Sequence, residues 1–481
     1  MKSVYFFILS IFTASAVSAQ YTIEEVDING QAFMKITGNI DADETLDNTS
    51  LWLIADTVNV AEQTTLTITE GTQIFAETTG TILYVNQLGQ VDWQGTETEP
   101  IVFNSLANAP GQGEGDDSPG QWIGVRIDGD GAGSDSGIIR YIRQMHAGFG
   151  EDGPNAFQLE SVGNGTTVEY VQVYKNDNRG FRINGGDVNL KYAISTNSED
   201  TGFRFDDDDN GGWAGVGQFF VVNKDIVAGT SIESRDDSSP ILSNITVTGI
   251  GFNSSGSEPA GDGIRVRDDG NGQIYNAVVT GADRSVRIDN EESITNGDSF
   301  FSNSACFDNL IDGGTGFHSS TAVFNPTSED YDPTFNNSVD PFTIVDSYVG
   351  VSALNSTPAG ALNPFFTDVN YVGAVEEGND WTEGWCLNLD GTLRAITVSV
   401  NDYEAPEISV YPNPVAENLF IRTEANVSSV LIYNTLGKKV YENLSYNSNE
   451  DKIDMAQFQS GVYILKFVSD DAIQTSTVIK Q

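Results

Sequence analysis

An acidic run in the middle of the chain carries the side chains that a metal ion would need. Asp206, Asp208 and Asn210 alternate along this run, and Gly211 follows them. The pattern matches the first half of a calcium-binding loop, in which alternate side-chain oxygens surround a hard cation and a glycine permits the turn. Gly217 stands where an EF-hand has its bidentate Glu, so an EF-hand is excluded. Two interpretations remain: a weak extracellular Ca²⁺ site formed by these three ligands, or a solvated acidic turn.

Four arginines occupy equivalent positions in short segments that alternate apolar and polar residues. Because side chains alternate between the two faces of a strand, each arginine would point away from the core. Arg182 and Arg204 are 22 residues apart, and so are Arg265 and Arg287. An acid or amide two residues further on would offset repulsion between stacked arginines; in four copies of the segment it is Asp128, Asn184, Asp206 or Asp289. The arginines therefore form either a structural ladder of ion pairs or a surface that binds an anionic or neutral sugar.

Other residues with chemical potential are few. His146 and His318 are the only histidines, and neither has the spacing of a metal ligand or a catalytic triad. No nucleophile elbow, phosphate-binding loop or zinc motif is present. The two cysteines, Cys306 and Cys386, predict a disulfide if the chain is exported to an oxidising compartment. Two buried thiols are the alternative.

The N-terminus indicates export. Lys2 precedes an apolar run from Val4 to Phe12, and small residues follow up to Ala19. This order predicts a cleavable signal peptide over residues 1–19; the alternative is a buried N-terminal strand. The run is too short to span a membrane as a helix, and no later stretch approaches ~20 apolar residues.

The charge balance narrows the set of partners. The chain has 23 Lys and Arg against 69 Asp and Glu, a net charge of −46. A field of this sign repels phosphate backbones, so nucleic acid is not expected as a partner. The same field favours cations and keeps an exported protein soluble.

An internal repeat predicts the architecture. The interval is 22 residues in each of the pairs Tyr170/Tyr192, Phe181/Phe203 and Ile264/Val286. A unit of this length with two short strands cannot bury its own apolar face, whereas stacked units can do so as coils of a parallel β-helix. A propeller blade needs ~40–45 residues, and a leucine-rich repeat would show its own ladder. An antiparallel sandwich would not need a fixed register.

Much of the chain resembles secreted right-handed β-helix proteins of bacterial surfaces. The resemblance covers most of residues 45–395 and rests on motifs such as Gly71-Thr72-Gln73-Ile74, Gln121-Trp122-Ile123-Gly124-Val125 and Asp200-Thr201-Gly202-Phe203. It implies the fold and export, and it implies no reaction. β-Helix enzymes that act on polysaccharides use clustered carboxylates, Ca²⁺ and a basic residue. Arg204 with the acidic run after it is therefore the cluster where catalysis would be sought.

The C-terminus resembles a type A sorting domain of the type IX secretion system of Gram-negative bacteria. The residues that carry this resemblance include Tyr411, Pro412, Asn413, Pro414, Gly437, Lys438, Gly461 and Lys480. It implies a small Ig-like β-sandwich that is recognised at the outer membrane and usually removed afterwards. An appended carbohydrate-binding sandwich is the alternative.

These observations predict an all-β protein made of four segments. They are a signal peptide (1–19), a right-handed parallel β-helix (20–400), a linker (401–406) and a sorting domain (407–481). The expected function is non-catalytic binding of a glycan or surface ligand by a protein that is secreted, or displayed on the outer cell surface, via the periplasm. Its expected partners are the type IX machinery and a surface polysaccharide. The alternatives are a polysaccharide lyase or hydrolase on the same scaffold, and a structural spacer.

Overall fold

The computed structural model describes most of the chain, and the structural statements below refer to that part. The described residues are 21–150, 155–208, 210–224, 229–249, 261–282, 284–289, 291–307, 324–326, 359–369, 371–376, 379–396, 408–423, 427–435, 437–444, 446, 450–469 and 473–481. The expected signal peptide and linker lie outside this set, as does His318. No helix within it is long and apolar enough to cross a membrane.

The chain divides into two compact units, Met1–Thr397 and Val398–Gln481. The first unit opens with an antiparallel hairpin of β1 and β2, and parallel pairing begins between β2 and β4. Its first strands are β1 (Tyr21–Ile28), β2 (Gln31–Ile40), β3 (Glu44–Leu46), β4 (Leu51–Val60), β5 (Thr65–Thr69), β6 (Gln73–Ala76), β7 (Ile82–Val85), β8 (Gln90–Gln94), β9 (Ile101–Ser105), β10 (Gly124–Asp128), β11 (Gly137–Met145) and β12 (Phe157–Glu160). A short 3₁₀ helix, Leu106–Asn108, follows β9.

The later elements of the first unit continue the same coils. They are β13 (Thr167–Asn176), β14 (Phe181–Asn184), β15 (Asn189–Ser198), β16 (Phe203–Asp208), β17 (Gly211–Gly212), β18 (Val216–Asn223), β19 (Ile232–Ser234), β20 (Ile241–Thr248), β21 (Asp262–Val266), β22 (Gly272–Thr280), β23 (Arg284–Ile288), α1 (Glu291–Asn296), β24 (Ser299–Phe307), β25 (Phe324–Pro326) and α2 (Ala359–Leu362). Together with the first group they form a right-handed parallel β-helix, as predicted.

Two stacks of parallel strands form the main walls of the β-helix. One stack, here called the short-strand face, runs β7, β10, β12, β14, β16, β19, β21 and β23. The other, the long-strand face, runs β11, β13, β15, β18, β20, β22 and β24. Each coil therefore contributes one strand to each face, and equivalent residues of successive coils lie side by side.

Strand alternation puts apolar side chains inside and polar ones outside on the short-strand face. In β14, Phe181 and Ile183 are buried, whereas Arg182 between them is partly exposed. The rings of Phe181 and Phe203 stack 4.5 Å apart in successive coils. Burial of each such side chain stabilises the fold by roughly 1.5–3 kcal/mol. The register of Phe181 with Phe203, and of Arg182 with Arg204, confirms that the 22-residue repeat marks successive coils.

The long strands bend at residues in the left-handed backbone conformation. Tyr141, Tyr170, Tyr192 and Phe219 have φ values of 50°, 55°, 58° and 61°. Their rings stack in that order at centroid distances of 4.3, 4.3 and 4.9 Å. We call these four residues the aromatic ladder. A strained backbone of this kind costs on the order of 1–3 kcal/mol per residue, and the continuous ring contact offsets that cost.

A segment near the end of the first unit crosses the outside of the long-strand face. We call its described part, within residues 359–396, the strap. The Gln218 amide donates to Thr367 O and accepts from Thr367 N, both at 2.8 Å. Gln172 makes the same two contacts with Leu387, at 2.9 and 2.7 Å. The strap is thus bound through its backbone by glutamines of two coils.

The predicted disulfide between Cys306 and Cys386 is wrong. Cys306 lies on β24 in the core of the β-helix, whereas Cys386 lies in a separate apolar cluster of the strap, with Trp385 and Ile194. The two sulfurs are therefore on opposite sides of the long-strand face. Cys386 Sγ donates to Thr382 O at 2.9 Å, and burial raises the pKa of its thiol.

We expect the unfolding midpoint of the mature protein to be the same with and without a reductant. A disulfide that closed a loop of about 80 residues would contribute ~4.5 kcal/mol on the chain-entropy model, so its reduction would lower the midpoint. Scanning fluorimetry with and without a phosphine reductant measures this difference. Titration of two thiols per denatured chain is the control, and a reductant-dependent loss of stability without titratable thiols would contradict the expectation.

The second unit is a small Ig-like β-sandwich. Its strands are β26 (Ile408–Tyr411), β27 (Asn418–Thr423), β28 (Val427–Asn434), β29 (Lys439–Asn443), β30 (Glu450–Asp454), β31 (Gly461–Ser469) and β32 (Ile473–Lys480). An antiparallel sheet of β26, β27 and β30 faces one of β29, β28, β31 and β32. The core between them includes Leu419, Ile432 and Leu465, each fully buried.

Candidate functional site

A row of polar side chains follows the outside of the short-strand face. In strand order, its members are Tyr84, Arg126, Gln158, Arg182, Arg204, Glu233, Arg265 and Arg287. We call these eight residues the polar row. The structure thus brings the four predicted arginines onto one face, with Arg182 beside Arg204 and Arg265 beside Arg287.

Asp206 is the centre of an ion-pair network in this row. Arg204 Nε lies 2.8 Å from its carboxylate, Arg182 Nη2 3.1 Å and Arg235 Nε 3.8 Å. The Asp206 side chain is only 2% exposed, whereas the Arg182, Arg204 and Arg235 side chains are 28%, 11% and 22% exposed, so the arginines reach solvent but the carboxylate that joins them is buried. Burial raises the pKa of Asp206, but the arginine charges and an Asp236 hydrogen bond outweigh it and hold the pKa below its usual value.

A second network joins the other two arginines. Asp289 accepts from Arg265 Nη2 at 2.8 Å and from Arg287 Nε at 2.6 Å. Asp262, on β21, lies 3.8 Å from Arg265 and 3.6 Å from Arg287. Arg284 also approaches Asp262, at 3.4 Å. All four predicted arginines are therefore matched by carboxylates of the same face, which is the arrangement expected of a structural ladder.

The structure places the three proposed calcium ligands in different surroundings. Asp206 faces the arginines described above, whereas Asp208 accepts hydrogen bonds from Ser161 Oγ and from Asn210 N (2.7 Å). Within the described residues, one group of three carboxylates has oxygens that all lie within 4.8 Å of one another, and it consists of Asp206, Asp207 and Asp236. Calcium binding by Asp206, Asp208 and Asn210 stays a prediction, and the positive charges around Asp206 count against it.

An open polar depression of about 490 Å³ lies at the N-terminal end of the polar row. It is lined by Ala61, Glu62, Tyr84, Asn86, Gln87 and Asp128. Tyr84 Oη donates to Asp128 Oδ2 at 2.5 Å, and Arg126 Nε donates to Asp128 Oδ1 at 2.7 Å. The Arg126 guanidinium also lies over the Tyr84 ring, 5.4 Å from its centroid. Sequence reasoning missed this site.

Tyr84 acts in the depression as a hydrogen-bond donor. Burial, its hydrogen bond to Asp128 and the charge of that carboxylate raise the pKa of Tyr84 to about 12, against a weaker opposing effect of Arg126. The hydroxyl therefore keeps its proton at neutral pH. Because this proton is directed at Asp128, the depression offers the hydroxyl oxygen of Tyr84 as an acceptor beside its carboxylate and amide groups, which is chemistry that can bind sugar hydroxyls.

His146 has a structural position. It is buried, its Nδ1 lies 2.8 Å from Asn104 Oδ1, and its Nε2 lies 3.3 Å from Asp117 Oδ1. Burial lowers its pKa, although Asp117 opposes this effect. Lys175 pairs with the same Asp117 carboxylate. The histidine thus helps to attach the loop that carries Asp117 to the long-strand face.

One group of the sorting-signal residues is attached to the last strand. In the Tyr411-Pro412-Asn413-Pro414 segment, the Asn413 side chain donates to Thr477 O and accepts from Ile479 N, both at 2.9 Å. Both partners belong to β32. This segment and the C-terminal strand therefore form one continuous part of the sandwich surface.

The remaining sorting-signal residues lie at turns and strand ends. Gly461 at the start of β31 pairs with Lys480 at the end of β32. Gly437 has a φ of 74° in the turn from β28 to β29, a conformation that favours glycine. Lys438 N in that turn donates to Asn434 Oδ1 at 3.0 Å.

Comparison with known proteins identifies both units. A family model described as a pectate-lyase-like β-helix domain matches residues 38–338, and one described as a secretion system C-terminal sorting domain matches residues 409–481. An ulvan lyase of Nonlabens ulvanivorans is 28% identical over 160 residues. That alignment covers 32% of this chain and 27% of the relative, so the chain spans about a quarter of the length of the curated relative it matches.

Proposed function

This chain belongs to the pectate-lyase-like β-helix family, and from that premise we propose that it binds a polysaccharide outside the cell without cleaving it. Its C-terminal sorting domain directs the protein out of the cell by type IX secretion. The observation that carries the proposal is the polar row, which ends in the open depression beside Tyr84 and Asp128. A row of hydrogen-bonding side chains along the β-helix axis fits a linear polymer that lies along the same axis.

The depression supplies the contacts with sugar hydroxyls in this proposal. Glu62 and Asp128 offer carboxylate acceptors, and the side-chain amides of Asn86 and Gln87 offer both donors and acceptors. The part of the polysaccharide that lies in the depression is a neutral sugar, because these carboxylates would repel a uronate or sulfate group.

The chemistry of the face supports binding over cleavage. A lyase needs a general base beside the acidic carbon of its substrate. The arginines of the polar row are paired with carboxylates, and Tyr84 keeps its proton at neutral pH. The alternative, a polysaccharide lyase, is supported by the ulvan lyase relative, although its 160 aligned residues can include at most about half of the β-helix match.

We expect the mature protein to bind at least one neutral polysaccharide, and replacement of Gln87 by Ala with Asp128 by Asn to weaken this binding. Loss of hydrogen bonds to the sugar should raise Kd by about tenfold or more. Affinity electrophoresis against neutral, uronic-acid-containing and sulfated polysaccharides measures this change.

The matched control is Asp92→Asn, which alters a partly exposed carboxylate that accepts from Gln94 at 2.7 Å outside the depression. It should bind like the wild type. Absence of binding to every polysaccharide would overturn the proposed function. If the polysaccharide retarded the control and the depression variant equally, the binding site would lie outside the depression.

A further inference from the structure

Arg143 is an arginine without a counter-charge on the outside of the long-strand face. It lies on β11 beside Val102 of β9 and Gln172 of β13. The flanking Ile142 and Gln144 are fully buried, whereas Arg143 itself is partly exposed, so its side chain faces outward. Its Nε is enclosed and has no hydrogen-bond partner, and no carboxylate of the described residues forms an ion pair with it.

The other arginines described in the β-helix unit differ from Arg143. Each has a carboxylate oxygen within 4.0 Å; they are Arg126, Arg140, Arg179, Arg182, Arg204, Arg235, Arg265, Arg267, Arg284, Arg287 and Arg394. In a chain with a net charge of −46, acidic partners are abundant. The lack of one at Arg143 therefore sets this position apart.

The groups around Arg143 do not compensate its charge. Burial raises the pKa of the neighbouring Cys386 thiol, which is therefore neutral. Asp380, whose charge also acts on this cysteine, is already paired with Arg394. Burial lowers the pKa of Arg143 itself, since water is partly excluded from the guanidinium. A partly buried charge without a partner destabilises a fold, so its presence calls for a ligand.

We propose that Arg143 binds an oxyanion of an external ligand, namely the carboxylate of a uronic acid or the sulfate ester of a sulfated sugar. A guanidinium matches either group because its planar donors form two parallel hydrogen bonds with a pair of oxygens. This site lies on the long-strand face, whereas the depression at Tyr84 lies at the end of the short-strand face. The inference therefore goes beyond the proposed function and does not depend on it.

Binding of small anions tests the site directly. The probes are galacturonate and inorganic sulfate, with galactose as the neutral control, titrated by calorimetry into the mature full-length protein. The variant is Arg143→Gln, and the matched control is Arg140→Gln on the same strand, where the arginine is already paired with Glu169 at 3.0 Å. Binding of galacturonate but not of sulfate would identify the ligand as a uronic acid. Binding of sulfate alone would identify it as a sulfated sugar.

We expect the wild type and Arg140→Gln to bind one of the two anions and not galactose, and Arg143→Gln to lose at least about tenfold in affinity, equivalent to 1.4 kcal/mol. We expect the unfolding midpoint of Arg143→Gln to be unchanged or higher, because no ion pair is lost. The proposal would be overturned if the wild type bound neither anion, or if Arg143→Gln bound the anion as tightly as the wild type does. A lowered midpoint of Arg143→Gln would overturn it as well, since it would show a structural role. Affinity for a neutral polysaccharide should stay unchanged in Arg143→Gln, which separates this site from the depression.

Discussion

Removal of residues 407–481 leaves the protein in the periplasm, and this is the largest effect that we expect from any change to the chain. The removed residues include the whole matched sorting domain, which the export machinery reads as an address. The β-helix forms a separate compact unit up to Thr397, so the truncated protein should still fold. Fractionation of cells into periplasm, outer membrane and medium, followed by immunodetection, measures the outcome.

A reciprocal experiment controls for misfolding of the truncated protein. Residues 407–481 fused to the C-terminus of an unrelated periplasmic protein should carry that protein to the cell surface or medium. Asn413→Ala in the intact chain should reduce export, because Asn413 attaches its turn to β32. Recovery of the truncated protein outside the cell at the normal level would contradict the role of this domain.

Asp206→Ala should destabilise the β-helix by about 1.5–3 kcal/mol, the usual contribution of hydrogen bonds to a charged group, because Arg204 and Arg235 keep other carboxylates nearby. Arg182, Arg204 and Arg235 surround this carboxylate, which is 2% exposed. Asp289→Ala is the matched control, because its carboxylate also binds two arginines but is 23% exposed. The control should lose only about 1 kcal/mol, as exposed pairs do. Urea unfolding measures the loss of unfolding free energy in each variant. Equal losses would contradict the claim that the buried carboxylate of Asp206 contributes more than that of Asp289.

The same carboxylate predicts how stability depends on pH. The pKa of Asp206 is lower in the folded protein than its ordinary value, so the folded state favours the charged form. Its contribution should be fully present above the unfolded pKa of about 3.9 and should disappear as pH falls through the folded pKa. Urea midpoints of the wild type and Asp206→Ala should therefore converge only at strongly acidic pH. A difference that persists there unchanged would contradict this assignment.

The repeat predicted the parts of the fold where coil length is constant. Phe181 and Phe203, like Arg182 and Arg204, are 22 residues apart and lie side by side, because one coil separates them. Because of this regularity, the β-helix and the stacking of the arginines could be predicted from the intervals between residues. It also correctly paired Arg265 with Arg287.

The candidate sites escaped prediction because they join residues at irregular separations. Tyr84 and Arg126 lie on neighbouring strands although they are 42 residues apart, since a long connection after β9 intervenes. Gln172 binds Leu387 of the strap across 215 residues. The long-strand face separates Cys386 in the strap from the core in which Cys306 lies, so the two cysteines of an exported chain suggested a bridge that the fold excludes.

Product formation from a polysaccharide that the protein binds is the most direct test of the central claim. The mature wild type is incubated with such a polysaccharide, with and without added Ca²⁺, and unsaturated and reducing ends are followed over many hours. Binding without cleavage predicts no increase over a heat-denatured sample. Sustained product formation by the wild type, abolished in Arg204→Gln or Asp208→Ala, would contradict it and would place a lyase or hydrolase site at the acidic run.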